Sequence, residues 1–99
     1  MKLKHTPGPW IPERDDNEGI IFILDDEGED ICLITNDESI FSEADEANAR
    51  LIAAAPEMLD ALIRLIKTIR SFQRNIKHDY AIEVIEKATG LKYEEVSND

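Results

Sequence analysis

The 99-residue chain has one cysteine, Cys32, so an intrachain disulfide framework is excluded. Cys32 lies in the apolar run Ile31-Cys32-Leu33-Ile34, where a thiol behaves as a small buried hydrophobe. That usage suits a reducing cytoplasm. Long hydrophobic runs are missing as well: no stretch approaches the ~18 apolar residues of a membrane span, and no apolar segment follows the lysines of "MKLKHTPGPW" as it would in a secretory leader. A soluble cytoplasmic protein with no membrane contact is expected. Bases are scarce, 11 against 22 acids for a net charge of -11, a balance that repels nucleic-acid backbones. There are two histidines, His5 in a proline-rich arm and His78 at a helix boundary, and neither has a metal-ligand partner nearby in sequence. Glycine-rich phosphate loops, G-x-S-x-G, H-E-x-x-H and paired cysteines are all absent, which leaves no recognisable catalytic motif. The chain reads as a non-enzyme that needs no cofactor and no metal.

What is present suits one globular unit spanning residues 1–99, with 42% hydrophobic and 33% charged residues and a modest core for its size. Residues 1–12 hold three prolines and a glycine in "HTPGPWIP", which excludes helix and predicts an extended edge segment anchored by Trp10. Residues 19–35 predict a β-hairpin: Ile20 to Leu24 and Ile31 to Ile34 are β-rich runs joined by acids, with Gly28 available for positive φ. Both faces of the first run are apolar, so each is expected to meet something. The acids between the runs, "DDEGED" at 25–30, suit a solvated turn. They match no EF-hand spacing.

Helices are expected over 43–90, with a tail at 91–99. Ser42 and Asp45 form a capping-box pattern ahead of a helix from Glu43 to about Ala55. Pro56 has no N–H for Ile52 and its ring would strike that carbonyl, so the helix breaks there and a second begins with Pro56 in its first turn. On the second helix, Met58, Leu59, Leu62, Leu65, Ile66, Ile69 and Phe72 cover an apolar arc of roughly 140°. Such breadth predicts burial against both a sheet and another helix, with a second subunit as one source. Ala81, Val84, Ile85 and Ala88 predict a third helix from Asp79 to a cap at Gly90, folding back as a helical hairpin. Tyr93 and Val96 are expected to pack in a short turn beyond it.

Charge is unevenly distributed. Residues 1–50 hold 14 acids and 4 bases, whereas residues 64–77 carry Arg64, Lys67, Arg70, Arg74 and Lys77 with no acid among them. Such a face is ordinarily solvated, but solvated helix faces mix both signs for i, i+4 pairing, and an anionic partner would account for the missing acids. The arginines present the planar fork that binds phosphate in a bidentate way. Asn48 and Arg50 stand as polar residues among Ala47, Ala49, Leu51 and Ala53 to Ala55; they suit either a ligand wall or helix packing, with Arg50 then paired to Glu46.

At "HTPGPW" (5–10) and "ANARLIAAAPEMLDAL" (47–62), with a looser echo in "AIEVIEKATG" (81–90), the chain resembles a group of small bacteriophage and prophage proteins. A weaker similarity, in element order and Asn/Arg content, is to phage sponges that sequester nucleotide-derived immune signals. The resemblance implies a viral accessory protein acting in the host cytoplasm rather than a metabolic enzyme. The expectation is an oligomeric α+β protein, a homodimer or larger, with an N-terminal antiparallel hairpin or small sheet followed by a helix broken at Pro56 and a C-terminal helical hairpin. Its first functional reading is counter-defence by capture of an anionic nucleotide signal, with Asn48, Arg50, Arg64 and Arg70 as polar contacts and Phe41 or Phe72 as stacking surfaces. Alternatives are an acidic inhibitor that imitates nucleic acid toward a host defence protein, and a structural or regulatory phage protein without a ligand.

Overall fold

The computed structural model describes residues 3–35, 41–72 and 79–97. Three strands, β1 (Ile11–Asp15), β2 (Ile20–Leu24) and β3 (Asp30–Thr35), precede four helices: α1 (Glu43–Ala53), α2 (Ala55–Phe72), α3 (Asp79–Thr89) and α4 (Tyr93–Ser97). The α+β class expected from the sequence is what forms. The sheet is antiparallel in the order β1-β2-β3. Packing divides the chain into two compact units, one of residues 6–57 and one of residues 1–5 with 58–99.

In the sheet unit both turns use an aspartate in the same way. The Asp15 carboxylate accepts the amides of Asn17 and Glu18 at 3.0 and 3.3 Å. Asp25 accepts those of Glu27 and Glu29, each at 2.9 Å. Gly19 and Gly28 supply the positive φ that each turn requires, at 68° and 86°. The "DDEGED" turn is therefore a hairpin tip in which Asp25 does structural work. β1 lies on the sheet edge, where Pro12 removes no ladder bond the sheet depends on. It begins where the proline-rich segment was expected to end.

Alternation sorts the sheet into two faces. Ile21 and Ile23 are buried at 3% and 0% exposure beneath Ala49 and Ala53 of α1, with Trp10, Cys32 and Ile34 around them. On the opposite face Ile20, Phe22 and Leu24 are half-buried, and Ile11 and Leu33 are exposed. Small alanines let α1 approach the sheet closely. Ser42 caps α1: its Oγ accepts the Asp45 amide at 3.1 Å while Asp45 accepts the Ser42 amide at 3.0 Å, the reciprocal box the sequence implied.

The helix break falls at Ala54, two residues before Pro56. Ala54 still donates its amide to the Arg50 carbonyl at 3.0 Å, closing α1, and Pro56 then sits in the first turn of α2, where a missing N–H costs nothing. The "HTPGPW" arm meets this corner. A Cβ on Gly8 would stand 3.2 Å from Pro56 Cβ, a tight contact, so the close approach favours glycine. The Trp10 indole N–H donates to the Thr6 carbonyl at 3.0 Å, folding the arm back on itself, and the Gly8-Pro9 peptide is cis.

The helical unit has its own core, formed by Ile63 and Ile66 of α2, Ile85 of α3, and Tyr93 and Val96 of α4. Leu3 packs on it from the N-terminal residues. α3 thus returns to α2 as expected, and Gly90 at φ 72° ends it with its amide on the Glu86 carbonyl at 2.8 Å.

Ile85→Ala is expected to lower the unfolding free energy by about 2–5 kcal/mol, because it empties a fully buried site. Gly8→Val should cost about 1–3 kcal/mol by overpacking the Pro56 corner. Urea denaturation followed by circular dichroism measures both.

Candidate functional site

Concavities are found in both units among the described residues. In the sheet unit a cavity of 180 Å³ is lined by Pro12 and Arg14 of β1, Ile21 of β2, and Glu46, Ala49 and Arg50 of α1. In the helical unit a larger groove of 440 Å³ is lined by Arg70, Ile82, Glu86, Lys92, Tyr93 and Glu94. The first is too small for a nucleotide, whereas the second falls in the range of small-molecule pockets, roughly 300–1,000 Å³.

Arg14 organises the smaller cavity. Its Nε donates to Asp16 and its Nη1 to Glu46, and its guanidinium lies 4.8 Å from the centre of the Phe41 ring. The hydrogen bond to Asp16 is the main cause that raises its pKa above an already high ordinary value, so Arg14 is a permanent cation held by two carboxylates. The expected Glu46 to Arg50 pair gives way to this arrangement, because alternation turns Arg14 on β1 toward α1, where it reaches Glu46 first. Arg50 lines the cavity, but Asn48, two residues earlier and roughly 200° around the helix, is exposed and does not.

The larger groove is held together by backbone capping. The Glu86 carboxylate accepts the Tyr93 amide at 2.8 Å, satisfying an otherwise unpaired N–H at the start of α4. Thr89 Oγ1 accepts the Leu91 amide at 3.2 Å and donates to the Ile85 carbonyl at 2.8 Å. The linker between α3 and α4 is thereby fixed. Tyr93 is buried, and the Arg70 guanidinium lies over its ring at 5.2 Å from the centroid, a cation–π contact. Lys92 stands beside them with Glu94.

The six residues singled out from the sequence fall in both units. Phe41, Asn48 and Arg50 belong to the sheet unit, and Arg64, Arg70 and Phe72 to the helical one. Arg64 pairs with Asp60 one turn earlier at 2.8 Å, so the basic strip begins beside an acid just outside the stretch read as acid-free. Phe72 is 82% exposed at the end of α2. Arg74, Lys77, His78 and residues 36–40 lie outside the described residues. Lys92 and Tyr93 were missed as groove residues, since they meet Arg70 only through the return of α3, which no spacing within α2 reveals. Among the described residues no group of three metal-ligating side chains converges, and no helix is long and apolar enough to cross a membrane.

The charge divides with the packing. Residues 6–57 hold 15 acids and 2 bases, and the remaining residues hold 7 acids and 9 bases. An acidic sheet unit is thus joined to a mildly basic helical one. The comparison with protein families sets the class, which is that of small phage proteins. The family described as Salmonella phage P22 protein Y8K6 matches residues 1–92, and the chain belongs to it. No curated protein and no solved structure matches the chain.

Glu86→Ala should leave the Tyr93 amide unpaired and cost about 0.5–2 kcal/mol, the usual range for a lost helix cap. Faster hydrogen exchange at Tyr93 and the following α4 amides, with α1 unchanged, is the expected result.

Proposed function

We propose that this phage protein is a non-enzymatic counter-defence factor that sequesters an anionic, nucleotide-derived signal in the host cytoplasm. A cyclic ADP-ribose isomer or a cyclic nucleotide is the ligand class intended. The observation that carries the reading is the helical-unit groove, where the Arg70 guanidinium lies over the buried Tyr93 ring beside Lys92. A guanidinium held in this way presents both a fork for phosphate and a planar surface for a base. Lys92 adds a point charge. Glu94, a carboxylate in an otherwise phosphate-suited groove, supplies the acceptor that ribose hydroxyls need, while Glu86 is already committed to the Tyr93 amide. Each residue has a role in holding a nucleotide, and none is required to break a bond in it.

Arg70 remains from the residues expected to contact the ligand, and Lys92, Tyr93 and Glu94 are added to it. Arg64, tied to Asp60, serves the field of the helix rather than the contact. Asn48, Arg50 and Phe41 belong to the sheet unit and to a second reading. There the 15 acids against 2 bases, with Arg14 already held by two carboxylates, favour an acidic surface that occupies the cationic face of a host defence protein.

Native mass spectrometry of protein purified from cells with an active nucleotide-signalling defence distinguishes the two. A retained small molecule absorbing like a nucleotide is expected, and Arg70→Ala with Lys92→Ala should weaken its binding on the order of a hundredfold while leaving the helical signal intact. An empty protein, or unchanged binding in the double variant, overturns sequestration. The second reading predicts a steep loss of host-protein binding with salt. It also predicts loss when Asp26, Glu27, Glu29 and Asp30 are neutralised and Asp25 is kept to hold the turn.

A further inference from the structure

We infer that the cavity of the sheet unit is a binding site for a small carboxylate with a short apolar body, held by the Arg50 guanidinium. Residues 6–57 contain 15 acids and 2 bases, and both bases, Arg14 and Arg50, line this cavity. A cation in so acidic a unit is expected to find a carboxylate among its neighbours. Arg14 does, holding Asp16 and Glu46. Arg50 does not: Glu46, one helical turn before it, is taken by Arg14, and the Arg50 side chain makes no ion pair or hydrogen bond among the described residues.

The Arg14 clamp is what keeps Arg50 available. Its Nε donates to Asp16 and its Nη1 to Glu46, and its guanidinium stands 4.8 Å from the centre of the Phe41 ring. The clamp ties β1 to α1 on the cavity wall and draws Glu46 away from Arg50, whose planar fork of N–H donors is left for a ligand. The rest of the lining is apolar. Ile21 and Ala49 are 3% and 2% exposed, and Pro12 joins them. An apolar lining with a few convergent polar groups is the composition of small-ligand sites.

Size and charge narrow the ligand. A cavity of roughly 150 Å³ holds a benzene ring. The 180 Å³ here therefore admits a molecule of about six to eight non-hydrogen atoms. Among the ionised side chains of the lining, Arg14 and Glu46 offset each other and Arg50 is left over, which suits a single negative charge. A phosphate dianion would bring a second one into a unit already rich in acids. A carboxylate also matches the guanidinium fork, which binds it through two parallel N–H bonds. Its hydrocarbon end then covers Pro12, Ile21 and Ala49. The site is independent of the nucleotide reading, which rests on the groove of the helical unit.

The test titrates the full isotope-labelled chain with sodium isobutyrate at neutral pH and constant ionic strength, read by nuclear magnetic resonance at the Ile21 and Ala49 methyls and the Arg50 Nε–H. Saturable shifts at all three are expected, with a dissociation constant on the order of 1 mM, ordinary for so small a ligand. Acetate, which lacks the branched methyl groups, should bind about tenfold more weakly, and inorganic phosphate should also bind more weakly than isobutyrate. Arg50→Gln, at an exposed helix position, should weaken isobutyrate about tenfold or more with unchanged circular dichroism. Arg50→Lys keeps the charge without the fork and should fall between the two. No saturation by about 50 mM isobutyrate, or equal binding after Arg50→Gln, overturns the site. Acetate binding as tightly as isobutyrate overturns the apolar part of the pocket, and tighter binding of phosphate overturns the carboxylate assignment.

Discussion

The structure depends on the corner at Ala54 to Pro56. A proline in this position forbids one continuous helix, since it offers no amide hydrogen and its ring excludes the carbonyl four residues back. The chain turns this prohibition into a seat: Gly8 rests so close to Pro56 that an added Cβ would crowd the proline ring at 3.2 Å. The two stretches that carried the resemblance, "HTPGPW" and "ANARLIAAAPEMLDAL", are thus in contact through Gly8 and Pro56. Their residue types follow from that contact. Glycine permits the approach, proline supplies the surface, the alanines bring α1 down onto the sheet, and Trp10 ties the arm into a loop through the Thr6 carbonyl.

Local rules were legible in the sequence wherever a residue acts on its near neighbours. The capping box at Ser42 and Asp45, the ending of α3 at Gly90 and the positive φ of Gly28 each form as composition and spacing imply, because each is decided within four or five residues. Only Ile11 and Pro12 of β1 fell within the edge segment read at residues 1–12, since "IPERD" lacks the apolar alternation of a buried strand and pairs because β2 offers a partner. The side chains of the groove were less legible. Arg70 finds Tyr93 across 23 positions of sequence, and Arg14 takes Glu46 from Arg50 across the space between sheet and helix. Such competition is settled by distance in the fold.

The charge pattern gains meaning from the packing. Counted along the chain, acids simply decline after residue 50. Counted by unit, they collect in residues 6–57, with 15 acids against 2 bases, while the remaining residues carry a small excess of bases, 9 against 7 acids. No charged or polar residue is buried among the described residues, so this segregation is displayed at the surface. A field of one sign thus falls on one unit and a near balance of charge on the other.

The helical unit includes residues 1–5 as well as 58–99, with Leu3 on its core. Topologically the sheet unit is therefore an insertion, a continuous cassette spliced between the first residues of its neighbour and the rest. During synthesis from the N-terminus the cassette can close before most of the surrounding unit exists.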